Sequence, residues 1–276
     1  VVEVRALPTD PAADPAADPA ADLAAEVTIA RALADRSERR DEHPALGDAV
    51  WRDLADPAPG SAGFVAVTPP DPEPVGYLRA IGRSGDPLVV DCAMTVHPDH
   101  RDDAVPGRLL DAGIAHARAV GAARAALWVF GADVDTDALA AGRGLRIERE
   151  LWQMRVPLPV AGPAPMPPGV TLRAFVPGAD DDGRMAGFCW TKVHAPAPPH
   201  EPHALGEIYV IGVDPADRGR GLGRALTVAG LDHLHRRGIA VGMLFVDAAN
   251  TAAVGLYRAL GFVTSRIDRC YGTELA

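Results

Sequence analysis

The sequence predicts an α/β fold with mixed sheets, arranged as two tandem repeats. Three observations carry that reading. One order of strands and helices occurs twice, a proline-rich segment separates the two copies, and a run of alternating glycines and arginines opens one helix. The 276 residues are too many for one core of ordinary size and suit two. With 48% hydrophobic and 23% charged residues, the composition is globular rather than disordered.

Near the N-terminus, Asp10-Pro11-Ala12-Ala13-Asp14 begins a four-residue period that runs to Asp22. A proline at every fourth position opposes a continuous helix, so the stretch reads as solvated and mobile. Residues 88–96 then form an apolar strand leading into His97-Pro98-Asp99-His100-Arg101. After it come an amphipathic helix over 108–119, a strand over 125–130, an Ala-rich helix ending at Gly144-Leu145, and a closing strand over 146–156. The second copy repeats the plan. A strand over 208–213 leads into Asp214-Pro215-Ala216-Asp217-Arg218, then a helix over 222–236, a strand over 241–246, a helix ending at Gly261-Phe262, and a strand over 263–271. Internal duplication is the economical explanation. The boundary is the stiff segment 158–169, where five prolines fall, so the expected domains are 1–157 and 170–276.

Several classes of function are disfavoured. A net charge of -10 argues against a nucleic-acid backbone as partner. No apolar run approaches the ~20 residues that cross a bilayer, and residues 1–22 lack the basic start and apolar core of a secretory signal. Cys92, Cys189 and Cys270 are scattered and form no CxxC pair, which fits a reducing cytoplasm. His194, His200, Glu201 and His203 invite a metal reading, but His200-Glu201-Pro202-His203 is not HExxH and lies among prolines, so no metal is expected.

The most informative stretch is Arg218-Gly219-Arg220-Gly221-Leu222-Gly223-Arg224. Glycines at alternate positions free the backbone just where a helix begins, so several N–H groups can converge on an anion at the positive helix end. Three arginines add charge, and a pyrophosphate is a natural occupant. The spacing is neither a P-loop nor the strand-adjacent GxGxxG of a dinucleotide fold. Downstream, Asn250 is a natural N-cap and Gly261 a natural C-terminal stop for the helix that carries Ala253, Val254 and Tyr257. Taken alone, Tyr257 reads as a packed aromatic, Glu207 as a strand-edge charge, and Asp48 as a surface carboxylate.

Together these segments resemble the GNAT superfamily of N-acetyltransferases. The pyrophosphate loop of that superfamily, Gln/Arg-x-x-Gly-x-Gly/Ala, is matched from Arg218 to Gly223, and its later Asn…Ala…Tyr…Gly-Phe by Asn250, Ala253, Tyr257, Gly261 and Phe262. Gly187-Phe188-Cys189-Trp190-Thr191-Lys192-Val193-His194, Gly206-Glu207-Ile208-Tyr209 and Trp152-Gln153-Met154-Arg155 extend the likeness to tandem members of the superfamily. The resemblance implies acetyl-CoA as cosubstrate and, as acceptor, the cysteinyl amine of a cysteine–glucosamine–inositol pseudodisaccharide. It implies Glu207 as general base and Tyr257 as general acid. Ile211, Gly212, Val213, Arg218, Gly219, Arg220, Gly221, Leu222, Gly223, Arg224, Asn250 and Ala253 become coenzyme contacts, and Asp48, Lys192, Glu207 and Phe245 acceptor contacts. A cytoplasmic monomer without nucleic-acid or membrane partners is expected.

Two departures stand out. In the first copy, Asp102, Asp103, Ala104 and Pro106 replace the arginines and glycines of the loop, which removes charge and an N–H donor. In the second, a strand expected at 170–176 is followed by only nine residues before Ala186, too few for the helix pair with which a superfamily domain starts. That pair normally walls the acceptor, and Phe245 stands where the family has a Tyr. The chain is therefore expected to be an active transferase or a coenzyme-binding protein without turnover.

Overall fold

The computed structural model describes residues 2–7, 18–85, 87–102, 104–162, 164–175, 183–196 and 201–275. The chain forms two compact units, Val1–Glu150 with Ile267–Ala276, and Leu151–Arg266.

The first unit starts with β1 (Glu3–Ala6), α1 (Pro19–Asp41), α2 (Asp48–Ala55), β2 (Ala62–Thr68), β3 (Asp71–Arg83) and β4 (Val89–Val96). A 3-10 turn at Pro98–His100 leads to α3 (Ala104–Ala119), β5 (Arg124–Val129) and α4 (Val134–Ala141). The last period of the Asp-Pro-Ala-Ala repeat is helical, contrary to expectation. Asp18 caps α1 by accepting from the Ala20 N–H, and Pro19 occupies the first turn, where a missing N–H costs nothing. The earlier periods, residues 10–17, lie outside the described residues. α1 and α2 are clamped onto β3 by a buried charge cluster, in which Arg79 donates to Glu26 at 2.8 Å and to Asp53 at 2.7 Å, and Tyr77 Oη donates to Glu26 at 2.6 Å.

β6 (Arg146–Pro157) carries the chain from the first unit into the second, which holds β7 (Gly187–His194), β8 (Leu205–Val213), a 3-10 turn at Pro215–Asp217, α5 (Leu222–Arg236), β9 (Val241–Asp247) and α6 (Thr251–Ala259). β10 (Val263–Glu274) then returns the chain to the first unit. The sheet of the first unit runs β1-β2-β3-β4-β5-β10, and that of the second β6-β9-β8-β7. The strand expected to close each copy therefore serves the other unit. β10 pairs with β5 (Tyr271 opposite Leu127), and β6 pairs with β9 (Met154 opposite Leu244). Tyr271 joins the core of the first unit and Met154 that of the second, so the exchanged strands are bound by buried side chains worth ~1.5–3 kcal/mol each.

In both units the paired parallel strands part company. β4 and β5 are in register from Val89/Arg124 to Ala93/Trp128, while β8 and β9 pair only from Leu205/Val241 to Glu207/Met243. The two strands expected to lie side by side and splay in the second copy do so. The strand expected over 170–176 is not formed in residues 170–175, where Leu172 and Phe175 are exposed and find no core to fill, and Val176 lies outside the described residues. Among the described residues between β6 and β7 there is no helix.

Candidate active site

The second unit brings the sequence-predicted loop and strands together. β8 carries a bulge at Tyr209, because Trp190 pairs with Val210 and Thr191 with Ile208. Ile208 packs into the core under α5, which turns Glu207 to the opposite face of the sheet. Lys192 is the β7 partner of Glu207 and shares that face with Trp190 and the bulged Tyr209. The Trp190 and Tyr209 rings meet edge to face at 5.5 Å, and the Lys192 Nζ lies 5.3 Å from the Tyr209 centroid. Phe245 on β9 is on the same side, with the Arg266 guanidinium 5.8 Å from its ring. Phe188, Trp190, Tyr209 and Phe245 are all exposed. Asp48 belongs to the first unit, exposed at the first position of α2.

Past Glu207 the β8–β9 ladder stops, so Ile211, Gly212 and Val213 pair only with β7. Their other edge is left open. The chain then turns through Asp214, whose carboxylate caps the 3-10 turn by accepting from the Ala216 N–H at 2.8 Å. Gly219 and Gly221 both have positive φ, +75° and +83°, and a Cβ at either would meet nothing within 4 Å. The loop is thus a bare backbone turn in front of the α5 N-terminus, which begins at Leu222 and includes Gly223. Arg218 and Arg224 have no ion-pair partner among the described residues. Arg220 differs from expectation. Its guanidinium pairs with the buried Asp217 and donates to the Pro168 carbonyl at 2.9 Å. Arg184 also donates to Asp217, at 2.5 Å, and these bonds hold the Asp217 carboxyl below the usual carboxylate range. Arg220 therefore braces the loop.

The end of β8, the start of α5 and α6 converge at Gly223, where a Cβ would lie 3.9 Å from Val213 and 3.8 Å from Leu256. Asn250 caps α6 by accepting from the Ala253 N–H at 3.2 Å, which fixes the rotation of that helix. Tyr257, the next residue after Leu256, is packed beside Phe262 at 5.7 Å. Burial, with the Cys189 thiol close by, pushes the Tyr257 phenol up, so it keeps its proton at neutral pH. Cys189 is the β7 partner of Ile211, which sets the phenol near the open part of β8. Glu207 is only 5% exposed, and the His194 Nε2 is 2.6 Å from its Oε2.

Sequence reasoning missed the His194–Glu207 pair, the Arg184–Asp217–Arg220 brace and the aromatic pair. His194 was legible only as a candidate metal ligand. Among the described residues no group of three or more His, Cys, Asp or Glu could hold a metal, and Glu201 is paired with Arg155.

These features match known proteins. The Acetyltransferase (GNAT) family matches residues 150–262. A mycothiol acetyltransferase of Thermobispora bispora is 38% identical over 255 residues, covering 76% of this chain and 79% of that protein. Its counterpart in Streptomyces coelicolor is 34% identical over 297 residues, covering 88% and 90%. The chain belongs to the mycothiol acetyltransferase family. Solved structures agree on the fold. A GCN5-related N-acetyltransferase from Sphaerobacter thermophilus has a TM-score of 0.67 at 24% identity, with 99% of this chain and 95% of that chain covered. A tandem GNAT protein from the clavulanic acid biosynthesis pathway has a TM-score of 0.63 at 14% identity, with 99% and 98% covered. The second of these structures shares the tandem plan read from the duplicated strands. No helix among the described residues of this family member is long and apolar enough to cross a membrane.

Proposed function

We propose that this chain transfers the acetyl group of acetyl-CoA to the cysteinyl amine of a cysteine–glucosamine–inositol pseudodisaccharide, the last step of mycothiol formation. Acetyl-CoA supplies an activated acetyl thioester. The residues present fit it, and the bare turn at Gly219 and Gly221 before α5, with Arg218 and Arg224 free of ion pairs among the described residues, is the observation that carries the reading. Arg218, Arg224 and the N–H groups from Gly219 to Gly223 would hold the pyrophosphate. Ile211, Gly212 and Val213 would present their open edge to the pantetheine arm, and Asn250 and Ala253 would border it.

Glu207 is the base in this reading. An attacking amine must be unprotonated, and a carboxylate beside the open strand can take its proton. A backbone N–H of β8 past the bulge, where pairing with β9 has ended, would polarise the thioester carbonyl. Tyr257, held neutral by burial, can give a proton to the departing sulfur. Lys192, Phe245 and Asp48 are acceptor contacts, and the exposed Trp190 and Tyr209 rings extend the same face. Residues 1–157 and 170–276 are two copies of one unit joined by 158–169, and acetyl-CoA uses the second. A small-molecule acceptor and a cytoplasmic monomer complete the reading.

The test is direct. The full chain is incubated with acetyl-CoA and a panel of amines that includes the cysteinyl pseudodisaccharide, and CoA thiol release is followed. Acetylation of the pseudodisaccharide above the other amines is expected. Turnover of another amine with none of the pseudodisaccharide would overturn the acceptor.

A further inference from the structure

We propose that His194 is a positioning residue that fixes Glu207 through Oε2 and leaves Oε1 as the oxygen that takes the amine's proton. The proposal rests on the reading of Glu207 as base.

The argument starts from the cost of the carboxylate. Glu207 is nearly excluded from water, and a buried carboxylate needs donors. Among the described residues only His194 supplies one, at 2.6 Å. The cations on this face are engaged elsewhere. Lys192, the cross-strand partner of Glu207, lies over the Tyr209 ring, and Arg155 pairs with Glu201. His194 reaches Glu207 because it is two residues beyond Lys192 on β7, a diagonal neighbour on the same face. Its side chain is 35% exposed, against 6% for Glu207, so the ring spans from solvent to the buried group.

With Nε2 carrying its proton, the ring donates to Oε2 and holds the carboxylate in one orientation. Oε1 keeps its lone pairs. In the proton-transfer step an N–H bond of the acceptor's ammonium breaks, an O–H bond forms on Oε1, and the nitrogen lone pair is freed to attack. A carboxylate without its clamp would rotate, and the base would spend less time aligned with the amine.

The test compares kcat, at saturating acetyl-CoA and pseudodisaccharide, for His194→Ala, His194→Gln, Glu207→Gln and the double variant His194→Ala/Glu207→Gln. Removing the donor should lower kcat roughly 10- to 100-fold, the range for a hydrogen bond to a charged group, with acetyl-CoA affinity unchanged. His194→Gln, which keeps an N–H donor, should recover most of that loss. The double variant should be no slower than Glu207→Gln alone, because a clamp has no effect once its base is gone. Parent turnover in His194→Ala, equal loss in the Gln and Ala variants, or additive losses in the double variant would each overturn the clamp. Should His194→Ala not fold, His194→Met supplies the donor-free comparison. Parent turnover in Glu207→Gln would instead bring down the base itself, so the two failures are distinguishable.

Discussion

The two units hold the same loop in different chemical states. In the second, the chain leaves the 3-10 turn through two left-handed glycines, and Arg218 and Arg224, at the helix N-terminus, have no ion-pair partner among the described residues. In the first, α3 begins at Ala104 with no positive-φ glycine between the 3-10 turn and the helix, and Pro106 removes an N–H from its first turn. Arg101, the counterpart of Arg218, is spent on Asp41, with two bonds of 2.7 and 2.6 Å. The contrast extends to the chemistry. Allowing for the bulge at Tyr209, Asp91 occupies the place of Glu207, but its carboxylate is bound by Arg83 at 2.7 Å. Ala140 occupies the place of Tyr257, as matching bonds show: the Leu145 N–H donates to the Ala140 carbonyl and the Phe262 N–H to the Tyr257 carbonyl, both at 3.0 Å. The first unit has its helix pair, clamped by Arg79, and holds Asp91 and Ala140 at these two places. The second holds Glu207 and Tyr257 there and has no helix between β6 and β7 among the described residues. On the reading proposed above, duplication left one scaffold to packing and one to chemistry.

Breaking that contrast should have its largest effect at Glu207, the proposed base. Glu207→Gln should lower kcat by ~100- to 10,000-fold while calorimetry finds acetyl-CoA affinity unchanged, since the coenzyme loop is separate. Asp91→Asn should leave kcat near the parent value. A comparable loss in both variants would mean the units share the chemistry.

A smaller effect is expected at the turn. Gly221→Val forces a β-branched residue to φ +83°, at a cost of ~1–2 kcal/mol, and should weaken acetyl-CoA binding roughly tenfold. The open space around Gly221 means that the penalty is in the backbone rather than in packing. Unchanged affinity would remove the loop from the coenzyme site.

The arginines sharpen the comparison further. Arg224→Ala should weaken acetyl-CoA severalfold, with a loss that shrinks in high salt, as for a contribution of ~1 kcal/mol. Arg101→Ala should do nothing to acetyl-CoA affinity, because Asp41 holds that side chain. Equal losses would place coenzyme in both units.

The smallest effect concerns pH. Hydrogen bonds from Arg184 and then Arg220 lower the Asp217 carboxyl, so its contribution to stability is present above the ordinary Asp range and is lost as pH falls below that range through the lowered native value. Asp217→Asn should lower the thermal midpoint slightly at pH 7, and the difference should shrink as pH is taken below the ordinary Asp value. A difference that persists in acid would mean the brace is not ionic.

Local rules made much of this legible from residues alone. α5 starts at Leu222 as expected, because glycines cannot hold the preceding turn in a helix and the apolar period begins there. The cap at Asn250, the splay of β8 from β9, and the absent loop chemistry around Pro106 are likewise consequences of residue type and spacing. The partners of charged side chains were not legible. Arg218 and Arg220 are alike in sequence, yet only Arg220 is turned inward, because Asp217 and the Pro168 carbonyl are brought to it by the fold. His194 became the clamp of Glu207 through a cross-strand register, which no local pattern encodes. The strand exchange is the largest such case. Residues 146–156 and 263–271 both read as closing strands, and a strand carries no label for which sheet edge it will join. Backbone hydrogen bonds are chemically identical at every edge, so the choice fell to side-chain packing of Met154 and Tyr271 in cores assembled from distant residues. The sequence by itself determined the repeated elements from residue 88 onward, the glycine loop and its degenerate twin, whereas tertiary structure decided which strands, carboxylates and arginines would meet.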